Sequence, residues 1–251
     1  MVQSKIYEED YAVINKEMDP LNGERHLAMT IYLVLAGMFI ASLVSCNLIF
    51  QKFFQWEIWL PFFGSYTFEQ SVGILPYPIT FLVTDIISEI YGKKKADMVV
   101  LSGLAASIFM VLVVLISDLA TATPWSPVDG PTFSSVFGLS SVAVFSSMVA
   151  YLVAQFIDVR VFHFWKRLTK GRHLWLRNNA STVFSQFIDT FSILFLLCSF
   201  GVIEWGRFSI LLVNGFLFKV LVALIDTPLI YILAGILRRK FRLSVNQELS
   251  F

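Results

Sequence analysis

Six ionisable side chains interrupt the long apolar stretches of this chain, and their presence there needs a chemical explanation. An ionised group costs about 2.5–3.5 kcal/mol at the centre of a membrane-spanning helix. Such side chains are expected to face one another or a wetted interior instead of lipid. The set suits the binding or passage of a polar solute, and its alternative role is to hold helices together. Its members are Asp85, Glu89, Asp158, Asp189, Lys219 and Asp226.

A Gln-Phe-Ile-Asp pattern occurs twice, beginning at Gln155 and at Gln186. On two antiparallel helices these glutamines would lie at matching depth, about 12 Å in at 1.5 Å per residue. A carboxylate accepts the two N–H donors of a guanine-like edge, and an amide can donate to its carbonyl group. We therefore predict that Gln155, Gln186 and Asp189 line a site for a purine-like base, with Asp85 opposite. The alternative is that the repeat only packs the two helices together.

Further side chains are expected to complete this site. A lone lysine in mid-span needs a buried acid beside it, and Asp189 is the first candidate partner for Lys219. Helical spacing places Asn178, Thr182 and Ser185 on the same face as Asp189. An aromatic ring is expected to stack on the base. The candidates for that ring are Tyr77, Phe156 and Phe187.

Signatures of enzymes, cofactors and metal sites are absent from the sequence. It contains no G-x-x-x-x-G-K-[ST], no H-E-x-x-H and no G-x-S-x-G pattern, and its three histidines are widely scattered. We expect neither catalytic chemistry nor a cofactor. A net charge of +1 gives no reason to expect a nucleic-acid partner. Cys46 and Cys198 lie in apolar runs and are expected to be small core residues instead of a disulfide or metal pair.

Composition requires a lipid environment for this chain. Of its 251 residues 57% are hydrophobic and 15% are charged, whereas soluble domains carry about 25% charged residues. The apolar runs predict an all-α, polytopic membrane protein with six transmembrane helices. The predicted domains are an N-terminal tail at 1–26, a membrane domain at 27–237 and a C-terminal tail at 238–251. The predicted spans are 27–50, 70–91, 98–117, about 139–163, 178–203 and 208–237.

The lysines and arginines predict how the spans are oriented. Fifteen of the 19 lie on one side of the predicted bundle, in both tails and in the loops after the second and fourth spans. The opposite side holds only Lys52 and Arg207. Because basic residues accumulate in cytoplasmic loops, both termini are predicted to be cytoplasmic, in the inner membrane. The lipid bilayer is thus a predicted partner.

The second span is predicted to be discontinuous. Pro76 and Pro78 lie inside it, and proline fits a helix only in its first turn. Regular helix is therefore expected from Pro78 to about 91–92, preceded by non-helical backbone at 73–77, and the alternative is a simple proline kink. The aromatic segment 53–68 before it is too short to span, so we predict an outer hairpin or re-entrant lid. An aromatic belt at the interface is the alternative.

These residues resemble the queuosine precursor transporters, also called the vitamin-uptake-transporter-like family. The resemblance covers all six predicted spans, leaving out the N-terminal tail and the segment 53–68. A cysteine at position 46 stands where a serine is common. The matching stretches are Ser-Cys-Asn at 45–47, Pro-Ile-Thr-Phe-Leu-Val-Thr-Asp at 78–85, Glu-Ile-Tyr-Gly at 89–92, Ala-Gln-Phe-Ile-Asp at 154–158, Leu-Trp-Leu-Arg-Asn-Asn-Ala-Ser-Thr at 174–182, Asp-Thr at 189–190, Phe-Lys at 218–219 and Thr-Pro at 227–228.

The resemblance implies import of 7-deazaguanine precursors of the tRNA nucleoside queuosine: the 7-cyano or 7-aminomethyl base, or queuine. Two alternatives stay open, a substrate-binding subunit of an energy-coupling-factor vitamin transporter and a non-transport scaffold. Small-residue pairs such as Gly37 with Ala41 could pack helices or join two copies as a homodimer. The complete set of candidate substrate-binding residues is Asn47, Asp85, Gln155, Asp158, Gln186, Asp189 and Lys219.

Overall fold

The structure is a mostly helical bundle with two small two-stranded sheets. It is a computed structural model that describes residues 16–18, 22–60, 64–138, 141–169, 174–244 and 247–249. Most of the N-terminal tail lies outside these residues. The long helices are α1 (Asn22–Ile49), α2 (Tyr77–Ile90), α3 (Lys93–Asp118), α4 (Ser141–Leu168), α5 (Leu174–Ser199) and α6 (Trp205–Lys240). The strands are β1 (Lys16–Met18), β2 (Phe53–Leu60), β3 (Gly64–Ser71) and β4 (Gln247–Leu249).

Five helical stretches are long and apolar enough to cross a membrane, so the chain is a polytopic membrane protein. They lie in α1, in the 72–90 segment ending with α2, in α3, in the 148–168 part of α4 and in α6. The apolar stretch Val183–Ser199 of α5 is shorter. Large apolar side chains cover the outer faces of the bundle, including Phe109 on α3 and Ile225 on α6, which are 68% and 66% exposed. Lipid is the solvent that suits such a surface.

The short helix α2 lies at the centre of the bundle. It packs against α1, α3, α4 and α6, and ten of its fourteen residues are buried. The neighbours α4, α5 and α6 pack side by side in chain order. Because α2 is surrounded, the polar groups Thr84, Asp85, Ser88 and Glu89 on it are also buried. The centre of the bundle is therefore the place where a polar solute can be bound away from lipid.

Regular α-helix starts close to the predicted position, but the predicted non-helical backbone at 73–77 is wrong in part, because Leu75 and Pro76 keep right-handed helical dihedral angles. A 3₁₀ turn, Val72–Ile74, precedes a bend at residues 75–76, and α2 begins at Tyr77, one residue before the predicted start. Pro78 lies in the first turn of α2, where its missing N–H leaves no helical bond unmade. A Cβ atom at Gly73 would lie 2.8 Å from the Cys46 carbonyl oxygen and 2.9 Å from the Phe50 Cβ, so only glycine lets this segment touch α1.

The aromatic segment after α1 forms a hairpin, one of the two structures predicted for it. Strands β2 and β3 pair antiparallel from Phe53 with Ser71 to Leu60 with Gly64. The far end of β3 packs on α6, where Tyr66 donates to Asn214 and Asn214 Nδ2 donates to the Glu69 carbonyl, at 3.2 Å. These contacts hold the hairpin against the bundle.

At the opposite end of the bundle the two short strands β1 and β4 meet. Strands β1 and β4 pair in parallel, so both ends of the described chain lie on one side. Lys166 on α4 donates to Glu248 of β4 at 2.7 Å, and Arg238 on α6 pairs with Glu89 on α2. Gly92, which follows α2, has φ +82°, and a Cβ there would lie 2.2 Å from a Glu248 carboxylate oxygen. Glycine is therefore required where the tail crosses the end of α2.

The connection between α3 and α4 is exposed and polar. Asp129 accepts a hydrogen bond from the Thr132 backbone N–H at 2.9 Å and caps a single helical turn, Gly130–Phe133. Hydrogen bonds from Thr132 lower the pKa of Asp129, because they favour the charged carboxylate. The loop contributes no side chain to the cavity described next.

Candidate functional site

A cavity lies between the hairpin end of α1, the broken segment before α2 and the helices α5 and α6. It encloses about 110 Å³, whereas roughly 10–15 Å³ admits one water molecule. Most of its lining is apolar, from residues such as Leu43, Phe50, Ile193 and Leu211. Only a few polar side chains line it. In a mostly apolar pocket, such groups orient a small ligand through directed hydrogen bonds as well as through charge.

The central polar feature of the cavity is an ion pair. Lys219 Nζ on α6 donates to Asp189 Oδ2 on α5 at 2.6 Å, and both side chains are at least nine-tenths buried. The ammonium also lies 4.4 Å from the ring centroid of Tyr77. The predicted pairing of Lys219 with Asp189 is therefore confirmed. Removing either partner would leave an uncompensated charge away from water, so each side chain keeps the other in the cavity.

An aromatic wall stands beside this pair. The ring centroid of Tyr77 lies 5.3 Å from that of Phe81 and 5.6 Å from that of Tyr151 on α4. Tyr77 and Tyr151 both line the cavity, and tilted and edge-on contacts hold the rings in place. Tyr77 stands at the start of α2, directly after the bend, and its ring lines the cavity. It was one of the predicted stacking candidates. Phe187 is on the outer face of α5, 45% exposed, and does not line it.

Two buried amides complete the polar lining. Asn47, at the end of α1, was among the predicted residues, and Gln70, at the end of β3, was not. The Oε1 of Gln70 accepts the backbone N–H of Ser71 at 2.9 Å. Sequence reasoning missed Gln70 because the residue stands at the edge of an apolar run, where a polar residue is ordinary.

The glutamines of the repeat do not meet in the main cavity. Gln155 Nε2 donates to Thr84 Oγ1 on α2 at 2.8 Å, so this amide ties α4 to α2. Gln186 lines a smaller adjacent cavity, which also borders on Tyr77 and Lys219. The Oε1 atoms of both glutamines are buried without a hydrogen-bond partner among the described residues.

The repeat does bring α4 and α5 together. Ser185 Oγ donates to Asp158 Oδ1 at 2.7 Å, so the end of the first copy touches the start of the second. On antiparallel helices this contact places Gln155 level with Ile188, about 3 Å along the axis from Gln186. The matching depth of Gln155 and Gln186 stays a prediction. The contact between Ser185 and Asp158 therefore packs α4 against α5. Packing of the two helices was the alternative explanation for the repeat.

Three of the seven candidate residues, Asn47, Asp189 and Lys219, are brought together at the cavity. Asp85 is buried on α2 and lines none of the described cavities. The side chains of Asn178 and Thr182 lie outside what the structure describes. Within the described ranges no cluster of histidine, cysteine or acidic residues could hold a metal ion. Cys46 and Cys198 are both buried and free, as predicted.

This set of groups can bind a flat, polar heterocycle. A carboxylate supplies acceptors, two amides supply donors and acceptors, and an aromatic ring supplies a stacking surface. Apolar side chains around them exclude water, so any polar edge of a ligand left unpaired would weaken binding. The arrangement contains the means to recognise such a ligand reversibly.

Comparison with known proteins agrees with this chemistry. The sequence model of a family described as "Putative vitamin uptake transporter" matches residues 71–233. A protein of Bacillus subtilis named "Probable queuosine precursor transporter" is 29% identical over 166 residues, covering 64% of this chain and 70% of the relative. One of Haemophilus influenzae with the same name is 26% identical over 193 residues, covering 74% and 77%. No solved structure matches the chain significantly.

Proposed function

The chain belongs to the vitamin uptake transporter family, which consists of transporters and not enzymes, and on that premise we propose that it imports a queuosine precursor. The proposed substrates are 7-deazaguanine bases: the 7-cyano or 7-aminomethyl compound, or queuine. The names of the two relatives support this class of substrate. The observation that carries the proposal for this chain is the Lys219–Asp189 pair at the edge of a cavity with mostly apolar walls.

The chemistry of that pair suits a deazaguanine. The ring N–H and the exocyclic amino group of the base are two adjacent donors, and a carboxylate accepts both. In the proposed complex Asp189 accepts them, and the hydrogen bond from Lys219 holds the carboxylate in position. Tyr77 provides the stacking surface beside them. Asn47 lies in the same cavity and can bond a remaining polar edge.

The other predicted residues have supporting roles in this proposal. Gln186 lies in the smaller cavity, which also borders on Lys219, and it can hold the base or a water molecule there as the substrate moves inward. Gln155, Asp158 and Asp85 are proposed to form the inner part of the path, since all three are buried, Gln155 bonds to α2 and Asp158 bonds to α5. Their contacts would have to open for a base to pass.

We further propose that α5 is the sixth transmembrane span. It is 26 residues long, about 39 Å at 1.5 Å per residue, which is enough to cross the roughly 30 Å hydrocarbon core. The parallel pairing of β1 with β4 supports an even number of crossings, because it places both ends of the described chain on one side. The basic residues favour the cytoplasm of an inner-membrane protein for that side. The proposed membrane domain is 27–237, with tails at 1–26 and 238–251.

The test is uptake in cells that cannot make queuosine. Cells expressing this chain should modify their tRNA at lower external precursor concentrations than cells with an empty vector. The host should also lack any energy-coupling-factor ATPase module, so that uptake there establishes a stand-alone carrier. Queuosine in tRNA is measured separately with the 7-cyano base, the 7-aminomethyl base and queuine. No gain with any of the three would refute the proposal.

A further inference from the structure

The amide of Gln70 reaches the cavity from the hairpin instead of from the helical bundle. Gln70 is the penultimate residue of β3, it is 9% exposed, and it lines the cavity opposite the helices. Its place there depends on two contacts, one at the oxygen and one at the nitrogen of the amide. Together these contacts decide what the amide can offer to a ligand.

The contact at the oxygen fixes which way the amide points. Gln70 Oε1 accepts the backbone N–H of Ser71, at 2.9 Å. Ser71 is itself held on both sides, since its hydroxyl donates to the Phe50 carbonyl oxygen and accepts the Gly73 N–H at 3.1 Å. Turning the amide over would lose the bond from Ser71, so its orientation is fixed, and the described residues supply no acceptor for Nε2. Nε2 is therefore the donor that the amide can offer to a ligand.

The contact at the nitrogen is made possible by a glycine. A Cβ atom at Gly215 on α6 would lie 2.7 Å from Gln70 Nε2 and 3.1 Å from Thr190 Cγ2. Any other residue at this position would push the end of the Gln70 side chain out of its seat. Because the end of a glutamine side chain is flexible, a methyl group at position 215 would displace the Gln70 amide and leave the helix backbone in place. Gly215 is thus a positioning residue for the Gln70 amide.

We propose that Gln70 determines specificity by donating a hydrogen bond to a carbonyl oxygen on the bound base, and that Gly215 seats it for this role. This inference rests on the proposed function, and it assigns Gln70 to the carbonyl edge of the proposed substrate. Asp189 accepts from the N–H donors of the base, and Gln70 donates to the carbonyl next to them. A base without a good hydrogen-bond acceptor at that position would leave the Gln70 donor unpaired and would bind less tightly.

The experiment compares two ligands that differ only at this carbonyl. They are 7-cyano-7-deazaguanine and its 6-thio analogue, which keeps the ring N–H and the amino group but replaces the carbonyl oxygen with sulfur, a much weaker acceptor. Dissociation constants are measured on the full chain in lipid nanodiscs for the wild type, Gln70→Ala, Gly215→Ala and the double variant. Gly235→Ala is the matched control, because Gly235 lies on the same helix with open space around it.

The wild type should bind the ligand with the carbonyl about tenfold more tightly, the effect of one neutral hydrogen bond in a desolvated site. Gln70→Ala should bring this ratio of affinities close to one, because it should weaken the binding of only the ligand with the carbonyl. Gly215→Ala should lower the ratio in the same way, and in the Gln70→Ala background it should change nothing further. Gly235→Ala should leave the ratio unchanged.

Two results would overturn the inference while leaving the proposed function intact. One is an undiminished ratio in Gln70→Ala, and the other is an equal loss for both ligands. An effect of Gly215→Ala that persists in the Gln70→Ala background would remove Gly215 from the mechanism. If the wild type bound neither ligand, the proposed function itself would fail. Gln70→Ala keeps the inference testable if Gly215→Ala does not fold.

Discussion

The two ends of the bundle both bury a lysine–carboxylate pair, but they surround it differently. Towards the hairpin end, Lys219 Nζ and Asp189 Oδ2 are 2.6 Å apart and border a cavity of about 110 Å³. At the end where the termini meet, Lys166 and Glu248 are 2.7 Å apart and line none of the described cavities. Nearly identical ion pairs therefore have different neighbours.

The difference shows what makes a buried charge available for function. A buried ion pair is by itself weak support for stability, because desolvation offsets most of the attraction between its charges. The Lys166–Glu248 pair joins the helix α4 to the strand β4 and has none of the described cavities beside it. The Lys219–Asp189 pair has open space beside it, so a ligand with suitable donors can reach the carboxylate. The cavity, and not the charge, distinguishes the two ends.

The largest effect is expected from Lys219→Met. It should abolish uptake, because Asp189 would be left as an uncompensated charge, at a cost of about 3–5 kcal/mol. Uptake and the amount of folded protein in the membrane are measured together. The double variant Lys219→Met with Asp189→Leu removes both charges, so it should restore folding without restoring uptake. Full uptake in the double variant would mean that this pair only holds α5 and α6 together.

A smaller effect of a different kind is expected from Lys166→Met at the other end. Glu248 would lose its partner, but β4 can detach and expose the carboxylate to water. The loss of stability is therefore limited to about 1–3 kcal/mol. Thermal unfolding should occur at lower temperature, while the affinity for the base should equal that of the wild type. A large loss of affinity with unchanged stability would contradict the contrast between the two ends.

Gly73→Ala tests whether the cavity depends on close contact of the broken segment with α1. The new methyl group would meet the Cys46 carbonyl oxygen and the Phe50 Cβ at 2.8 and 2.9 Å, so the segment must move, at about 1–3 kcal/mol. Because Cys46 and Phe50 line the cavity, affinity should fall together with stability. Gly37→Ala on α1 has open space and should change neither. Equal results for both variants would mean that the predicted clash relaxes freely.

The smallest effect concerns how firmly the hairpin is held. Asn214→Ala removes its bonds to Tyr66 and to the Glu69 carbonyl, which should speed release of the bound base several-fold, since each bond contributes about 0.5–1.5 kcal/mol. Arg207→Ala is the control. Its 3.3 Å pair with Glu69 is exposed and should contribute at most about 1 kcal/mol. A faster release in Arg207→Ala than in Asn214→Ala would show that charge, and not the buried amide, holds the hairpin.

Several features of this molecule could be predicted because they are properties of a single segment. The length of an apolar run decides whether it can cross lipid, and a proline decides where a helix can begin, so the membrane class and the start of α2 followed from local sequence. The Lys219–Asp189 pair could be predicted for a related reason. A single lysine inside the bilayer must find an acid at similar depth, and few acids were available.

The tertiary structure alone decided which polar side chains face the cavity. Gln155 and Gln186 share a motif, yet Gln155 turns towards Thr84 on α2 while Gln186 borders the smaller cavity. The rotation of each helix about its axis depends on how its neighbours pack, and a repeated motif carries no information about that. Gln70 reaches the cavity only because a hairpin folds back onto α6 and Gly215 leaves room for its amide. Such long-range contacts between small and polar residues leave no periodic trace in the sequence.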